Sequence, residues 1–148
     1  MSIRLRVRKR KRVRVRMDEN QPTYFDHEKL KVYQMELKFN EFGHKICSRL
    51  PKSDIRDQLD RASNSIVLNV AEGNSKYSKK DRCRYFDISF GSSLESAGCL
   101  DILFVRKLIS SDELHTGKSM LKEIVSMLVG LIKSNSDRVY EENAEYDS

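Results

Sequence analysis

The residues able to do chemistry gather around one short polar turn. Lys76, Lys79, Lys80, Arg82 and Arg84 fall within nine residues, with Asp81 the sole acid among them and Glu72 just before. Arg56 and Arg61, on the preceding helical pattern, are expected to lie near this cluster. Closely spaced cations can hold the phosphates of a nucleic-acid backbone, an attraction that needs charge and reach but no reading of bases. The same residues also suit the solvated start of a helix. Positive charge at a helix N-terminus opposes the helix dipole, however, and that misfit favours binding over helix stabilisation.

Other chemistry is not expected. Gly73-Asn74-Ser75-Lys76 lacks the spacing of a phosphate loop, and neither G-x-S-x-G nor H-E-x-x-H occurs. A di-iron bundle site, a resident metal and a cofactor are none of them expected. Glu72 is the one carboxylate in the turn, and it reads as a helix cap or as a partner for Arg61 or Lys79 rather than a catalytic base. Cys47, Cys83 and Cys99 are odd in number, far apart and without a C-x-x-C pair, and His27, His44 and His115 are equally scattered. Zinc and a disulfide framework are therefore not expected, and three reduced thiols suit a cytoplasmic protein. The chain reads as a non-enzyme.

Charge is unevenly distributed. Residues 1–16 hold nine Arg and Lys and no acid, whereas the remainder holds 19 bases and 22 acids. The net charge of +6 thus belongs to the tail, and the body is mildly acidic. Residues 3–16 alternate apolar and basic, but a strand with an all-arginine face has no other strand pattern to pair with, so residues 1–24 read as a disordered basic arm. That arm is a nucleic-acid contact, a solvated tail, or a stretch upstream of a true start at Met17. Residues 136–148 read as a frayed acidic tail. No apolar run is read as approaching the ~20 residues of a membrane span, and no membrane partner is expected.

Between the tails, residues 25–135 read as helices. Few glycines and prolines and no tryptophan favour an all-α domain over a sandwich or barrel. Helix one spans about 28–49, with Val32, Met35, Phe39, Phe42 and Ile46 on its core face and Leu50-Pro51 ending it. Helix two spans about 53–72, capped by Ser53, with Ile55, Leu59, Ala62, Ile66 and Val70 inward. Ser63, Asn64, Ser65 and Asn69 form either an outward polar face or a seam against another helix or subunit. Gly73 reads as the stop, in the left-handed conformation. Helix three spans about 79–108, capped by Ser78, with Cys83, Phe86, Phe90, Leu94, Ala97, Leu100 and Phe104 as its core face. Gly91-Ser92-Ser93 and Ser96-Ala97-Gly98 indicate close approach of a neighbouring backbone in preference to a bend. Helix four spans about 112–135, with Ser111 as its cap and two apolar stripes, Gly117-Leu121-Ile124-Leu128-Leu131 and Val125-Val129-Ile132. One core covers only about a 100° face, so the second stripe, with Gly91 and Ser92, points to a subunit interface. Connections near 50–53, 73–78 and 109–112 are short enough to force antiparallel neighbours, giving an up-down-up-down four-helix bundle.

Arg61-Ala62-Ser63-Asn64-Ser65-Ile66, Asn69-Val70-Ala71-Glu72-Gly73, Ser78-Lys79-Lys80-Asp81 and the stretch from Phe86 to Glu95 resemble the 23S rRNA intervening-sequence protein family over about residues 26–133. That family is also called the four-helix-bundle protein family and is similar to the accessory variability determinants of diversity-generating retroelements. The signature turn, Asn69, Ala71, Glu72 and Gly73 followed by Ser-Lys-Lys, carries most of the resemblance; Val70 stands where isoleucine is common. The resemblance implies an antiparallel bundle in a ring, usually a pentamer, encoded within insertions in bacterial rRNA genes and elsewhere. It implies as partners further copies of the chain, RNA or DNA bound through basic surface, and, in the retroelement setting, a reverse transcriptase. The acidic body departs from strong nucleic-acid binding. The alternative is a protein–protein scaffold or adaptor that holds no nucleic acid.

Overall fold

The computed structural model describes residues 22–136, so the arm and the acidic tail lie outside it apart from their innermost residues. Among the described residues there are a short 3-10 turn, Asp26–Lys29, four α-helices and no strand. The helices are α1 (Lys31–Arg49), α2 (Asp54–Asn74), α3 (Lys79–Val105) and α4 (Ser111–Ser134). Each packs on two others, α1 and α3 both lying against α2 and α4. This is an all-α four-helix bundle. Its core joins Phe39 and Ile46 of α1, Leu59, Ile66 and Val70 of α2, Phe86, Leu100 and Leu103 of α3, and Ile124, Leu128 and Ile132 of α4.

Helix starts follow side-chain chemistry. The hydroxyls of Ser53 and Ser78 accept from the amides of Arg56 and Asp81 at 3.3 and 3.0 Å, each satisfying an orphan donor of the first turn. The cap of α4 is Ser110 and not Ser111. Ser110 stands three residues before Glu113, and the two exchange hydrogen bonds: the Glu113 amide donates to Ser110 Oγ at 3.1 Å, and the Ser110 amide to Glu113 Oε1 at 2.8 Å. The Glu113 carboxylate also receives both amino groups of Arg49, Nη2 at 2.7 Å, tying the end of α1 to the start of α4. The Arg49 bonds, with those to Ser110, hold the Glu113 carboxyl down at about pH 2.

Helix ends depart from expectation. Gly73 does not take a left-handed conformation: α2 runs through it to Asn74, and no glycine among the described residues has positive φ. A Cβ at Gly73 would sit 2.8 Å from Tyr85 Cβ and 2.9 Å from Phe86 Cε1, so this glycine exists because α3 crosses α2 there. The left-handed stop belongs to Lys107, φ 64°, which ends α3 three residues earlier than the periodicity suggests. The Leu108 amide reaches back to the Leu103 carbonyl and the Lys107 amide to Phe104, at 2.9 Å each, the bonding of a Schellman motif without its usual glycine.

The inner face of α3 is also turned from the expected one. Cys83, Phe86 and Leu100 are buried and Phe90 and Ala97 half-buried, but Leu94 and Phe104 are exposed, and Ser89, Ser93 and Ser96 take the inward positions. Serine fits a core that close where its hydroxyl can bond locally: Ser93 donates to the Ser89 carbonyl one turn back at 2.9 Å. A further consequence is that α3, with apolar residues on more than one side, contains an 18-residue window of mean hydropathy 1.3, long and apolar enough by length and composition to cross a membrane. Interspersed serines and glycines conceal this from a search for unbroken apolar runs. In the fold one side of α3 packs against α2 and α4, and 39% of that window is buried.

Candidate nucleic-acid interface

The turn between α2 and α3 is built from the inside outward. Lys76 N–H donates to the Gly73 carbonyl at 3.1 Å, and Ser75 Oγ to the Glu72 carbonyl at 2.6 Å, closing the end of α2. Arg82 then clasps the turn from α3: its Nε donates to the Lys76 carbonyl at 2.7 Å and its Nη1 to Asn135 Oδ1 at 3.3 Å. The Arg82 guanidinium is thus a brace joining the turn to the end of α4, and a phosphate would have to compete with two internal acceptors for it.

The remaining cations of the cluster differ in freedom. Lys76 Nζ lies 3.8 Å from Glu72 Oε2 and 5.0 Å from the centre of the Tyr85 ring. Glu72 therefore pairs with Lys76, not with Arg61 or Lys79. Arg84 lies over the same ring at 5.8 Å and pairs with Asp81 at 3.1 Å. Lys79 and Lys80 are exposed in the first turn of α3. Between Lys76 and Ser78, Tyr77 is 102% exposed, its ring unpacked on both faces. Sequence reasoning missed Tyr77; the signal was an aromatic inside a run of lysines.

Arg56 and Arg61 do not join the cluster. Arg56 is in the first turn of α2, where its Nη1 donates to the Leu50 carbonyl at 3.3 Å. Twenty residues at about 1.5 Å each separate it from Lys76, roughly 30 Å. Arg61 is exposed mid-helix, well short of the turn.

The polar residues of α2 form a seam with the chain's own neighbours. Asn40 Nδ2 donates to Ser63 Oγ at 3.0 Å and Asn64 Oδ1 at 2.9 Å, Ser92 Oγ to Ser65 Oγ at 2.8 Å, and Asn69 Nδ2 to the Ser65 carbonyl at 2.9 Å. Asn69 thus holds its own helix, while the half-buried Ala71 lies beside it. At the centre is a residue that no expectation placed there: Glu36 of α1 is 0% exposed. Burial raises its carboxyl well above the ordinary range, outweighing the hydrogen bond with Ser89, which lowers it.

The residues expected at a subunit interface divide. Val125 and Ile132 are buried and Val129 is half-buried, so the second stripe of α4 is not a free face. Both α4 stripes turn inward because α4 lies in the groove between α1 and α3 and meets both. Ser92 is buried against Ser65. Gly91 is exposed, and a Cβ there, as at Gly98, would meet nothing within 4 Å. The close approach expected at these glycines is therefore absent within the described chain. They lie on an outer face of α3 with Ile88, Leu94, Ile102 and Val105, from 41% to 77% exposed.

Among the described residues no group of three His, Cys, Asp or Glu side chains could hold a metal. Glu41 and His44 on α1 have the spacing of a bundle metal motif, but both are exposed. The three thiols are buried, and burial pushes Cys99 up to about 11 and raises Cys47, so neither presents a thiolate at neutral pH.

A sequence model described as 23S rRNA-intervening sequence protein matches residues 28–130. No curated protein matches the chain. Among solved structures, the chain is similar to a protein of unknown function from the S23 ribosomal protein family of Bacteroides thetaiotaomicron VPI-5482. That likeness has a TM-score of 0.66 at 20% identity and covers 69% of this chain and 98% of the other. At that identity it speaks for the fold.

Proposed function

Because the chain belongs to the 23S rRNA-intervening sequence protein family, we propose that it is a non-catalytic, self-assembling bundle that binds nucleic acid through phosphates, at the turn between α2 and α3. The observation that carries this reading is the exposure of Lys79 and Lys80 beside the half-buried Lys76, with the turn held in shape by Arg82. A rigid loop presenting cations loses little freedom on binding a polyanion. The antiparallel, up-down-up-down course of the helices belongs to the same reading, since in a ring it would place every copy's turn at one end and add their potentials.

Self-assembly is favoured by the uncovered apolar face of α3, with its two glycines in open space. Five copies is the number the family resemblance implies. The same face suits the alternative, a scaffold that docks a different protein and no nucleic acid.

Salt separates the two. Affinity through phosphates should fall steeply as salt rises, and replacing Lys79 and Lys80 by Ala in the full chain should reduce the slope of log affinity against log salt by roughly 0.7 per lysine on a single strand. Residues 1–16 contribute equally before and after the substitution. An unchanged slope would show that the turn makes no phosphate contacts.

A further inference from the structure

We infer that Tyr77 is a stacking platform for an unpaired base, so that the ligand of the α2–α3 turn is single-stranded nucleic acid. The inference rests on the phosphate-binding reading of the turn and specifies the state of the strand.

Among the described residues Tyr77 is not part of the packed core. Its ring is fully exposed, while the turn around it is closed by Ser75, Ser78 and Arg82. The other aromatic of the cluster is occupied: Tyr85 carries Lys76 on its ring at 5.0 Å and Arg84 at 5.8 Å. Among the described residues nothing covers the Tyr77 ring, and it is followed within three residues by the exposed Lys79 and Lys80. A bare ring beside exposed cations matches the two surfaces of an unpaired nucleotide, a flat apolar base and an adjoining phosphate. A duplex offers only the second, because its base faces are closed within the stack. Stacking of this kind tolerates any base and gives no sequence preference. The ring also protrudes from a two-helix turn, where a flexible strand can wrap and a stiff duplex presents only its backbone.

The chain contains no tryptophan, so Tyr77→Trp in the full-length protein introduces a single indole at the site. It is titrated at low salt with oligouridine, with oligothymidine of the same length, and with blunt RNA and DNA duplexes at matched phosphate concentration. Single strands should quench the indole saturably and duplexes should not. Quenching by both strands assigns any single strand, and quenching by oligouridine alone assigns RNA. In parallel, Tyr77→Ala should weaken single-strand binding about fivefold to tenfold by anisotropy, leave duplex binding unchanged, and be rescued by Tyr77→Phe, which keeps the ring. Equal quenching by duplexes, or strand binding that Tyr77→Ala leaves untouched, overturns the stacking site while the phosphate-binding turn stands. A wild-type protein that binds no strand and no duplex overturns both.

Discussion

At the scale of the residue, Glu36 is the most consequential side chain that sequence reading did not anticipate. Ser89 Oγ lies 3.3 Å from Glu36 Oε2 and 2.8 Å from the Ile66 carbonyl, with which it shares its one proton. A protonated Glu36 completes that chain, donating to the serine hydroxyl; a carboxylate would stand dry with Oε1 unpartnered. Its folded pKa is therefore raised above the unfolded value. For such a group the favourable contribution is present in full below the unfolded pKa of about 4.3 and is lost as pH rises towards the folded value, at up to about 1.4 kcal/mol per pH unit. Glu36→Gln, which matches the neutral form, should be more stable than wild type at pH 8 and nearly equal at pH 4.5. Urea unfolding at both pH values measures this, and a gap that does not widen with pH would mean the carboxyl is ionised in the fold.

At the scale of the element, the existence and order of the four helices were legible, and the caps of α2 and α3, Ser53 and Ser78, were read to the residue. Serine caps are local chemistry, written within four residues. What was not legible depends on a second helix. Gly73 looked like a stop because glycine at the end of an apolar run usually is one, whereas its cause is Tyr85 and Phe86 on α3. The rotation of α3 was missed because the period of its large residues points to Leu94 and Phe104, while close packing against α2 selects serines. At the site, the lysines of the turn were legible as a sequence cluster, but Arg56 and Arg61 were misplaced, although the rise of about 1.5 Å per residue along α2 already sets both well short of the turn. The two readings of Gly73 make different forecasts. Alanine at a left-handed stop would strain the backbone and shorten α2. Within α2 it would gain about 1 kcal/mol of helix propensity but collide with Tyr85 Cβ, costing about 1–3 kcal/mol. Gly73→Ala should thus give a modest net loss in unfolding free energy with the helical signal unchanged. A stabilised variant would show that α3 can move away freely.

At the scale of the whole molecule, the unexplained surface is the outer face of α3. Ile88, Leu94, Ile102 and Val105 are exposed along nearly five turns of one helix, in register with Gly91 and Gly98. Contiguous apolar surface on a water-facing helix marks an interface. The glycines sharpen the argument, because in a solitary chain each would weaken α3 by about 1 kcal/mol relative to alanine with no compensating contact. A copy of the same helix lying across them would supply that contact, and identical chains close into dimers or rings rather than polymerise. Leu94 sits midway between the two glycines and is 49% exposed, so a charge there faces the partner without touching the bundle core. Leu94→Glu should release single chains of 17.3 kDa from a larger wild-type assembly, with the circular dichroism of the helices retained. Light scattering decides the matter: wild-type protein already at 17.3 kDa would remove the assembly, and an oligomer indifferent to Leu94→Glu would move it to another face.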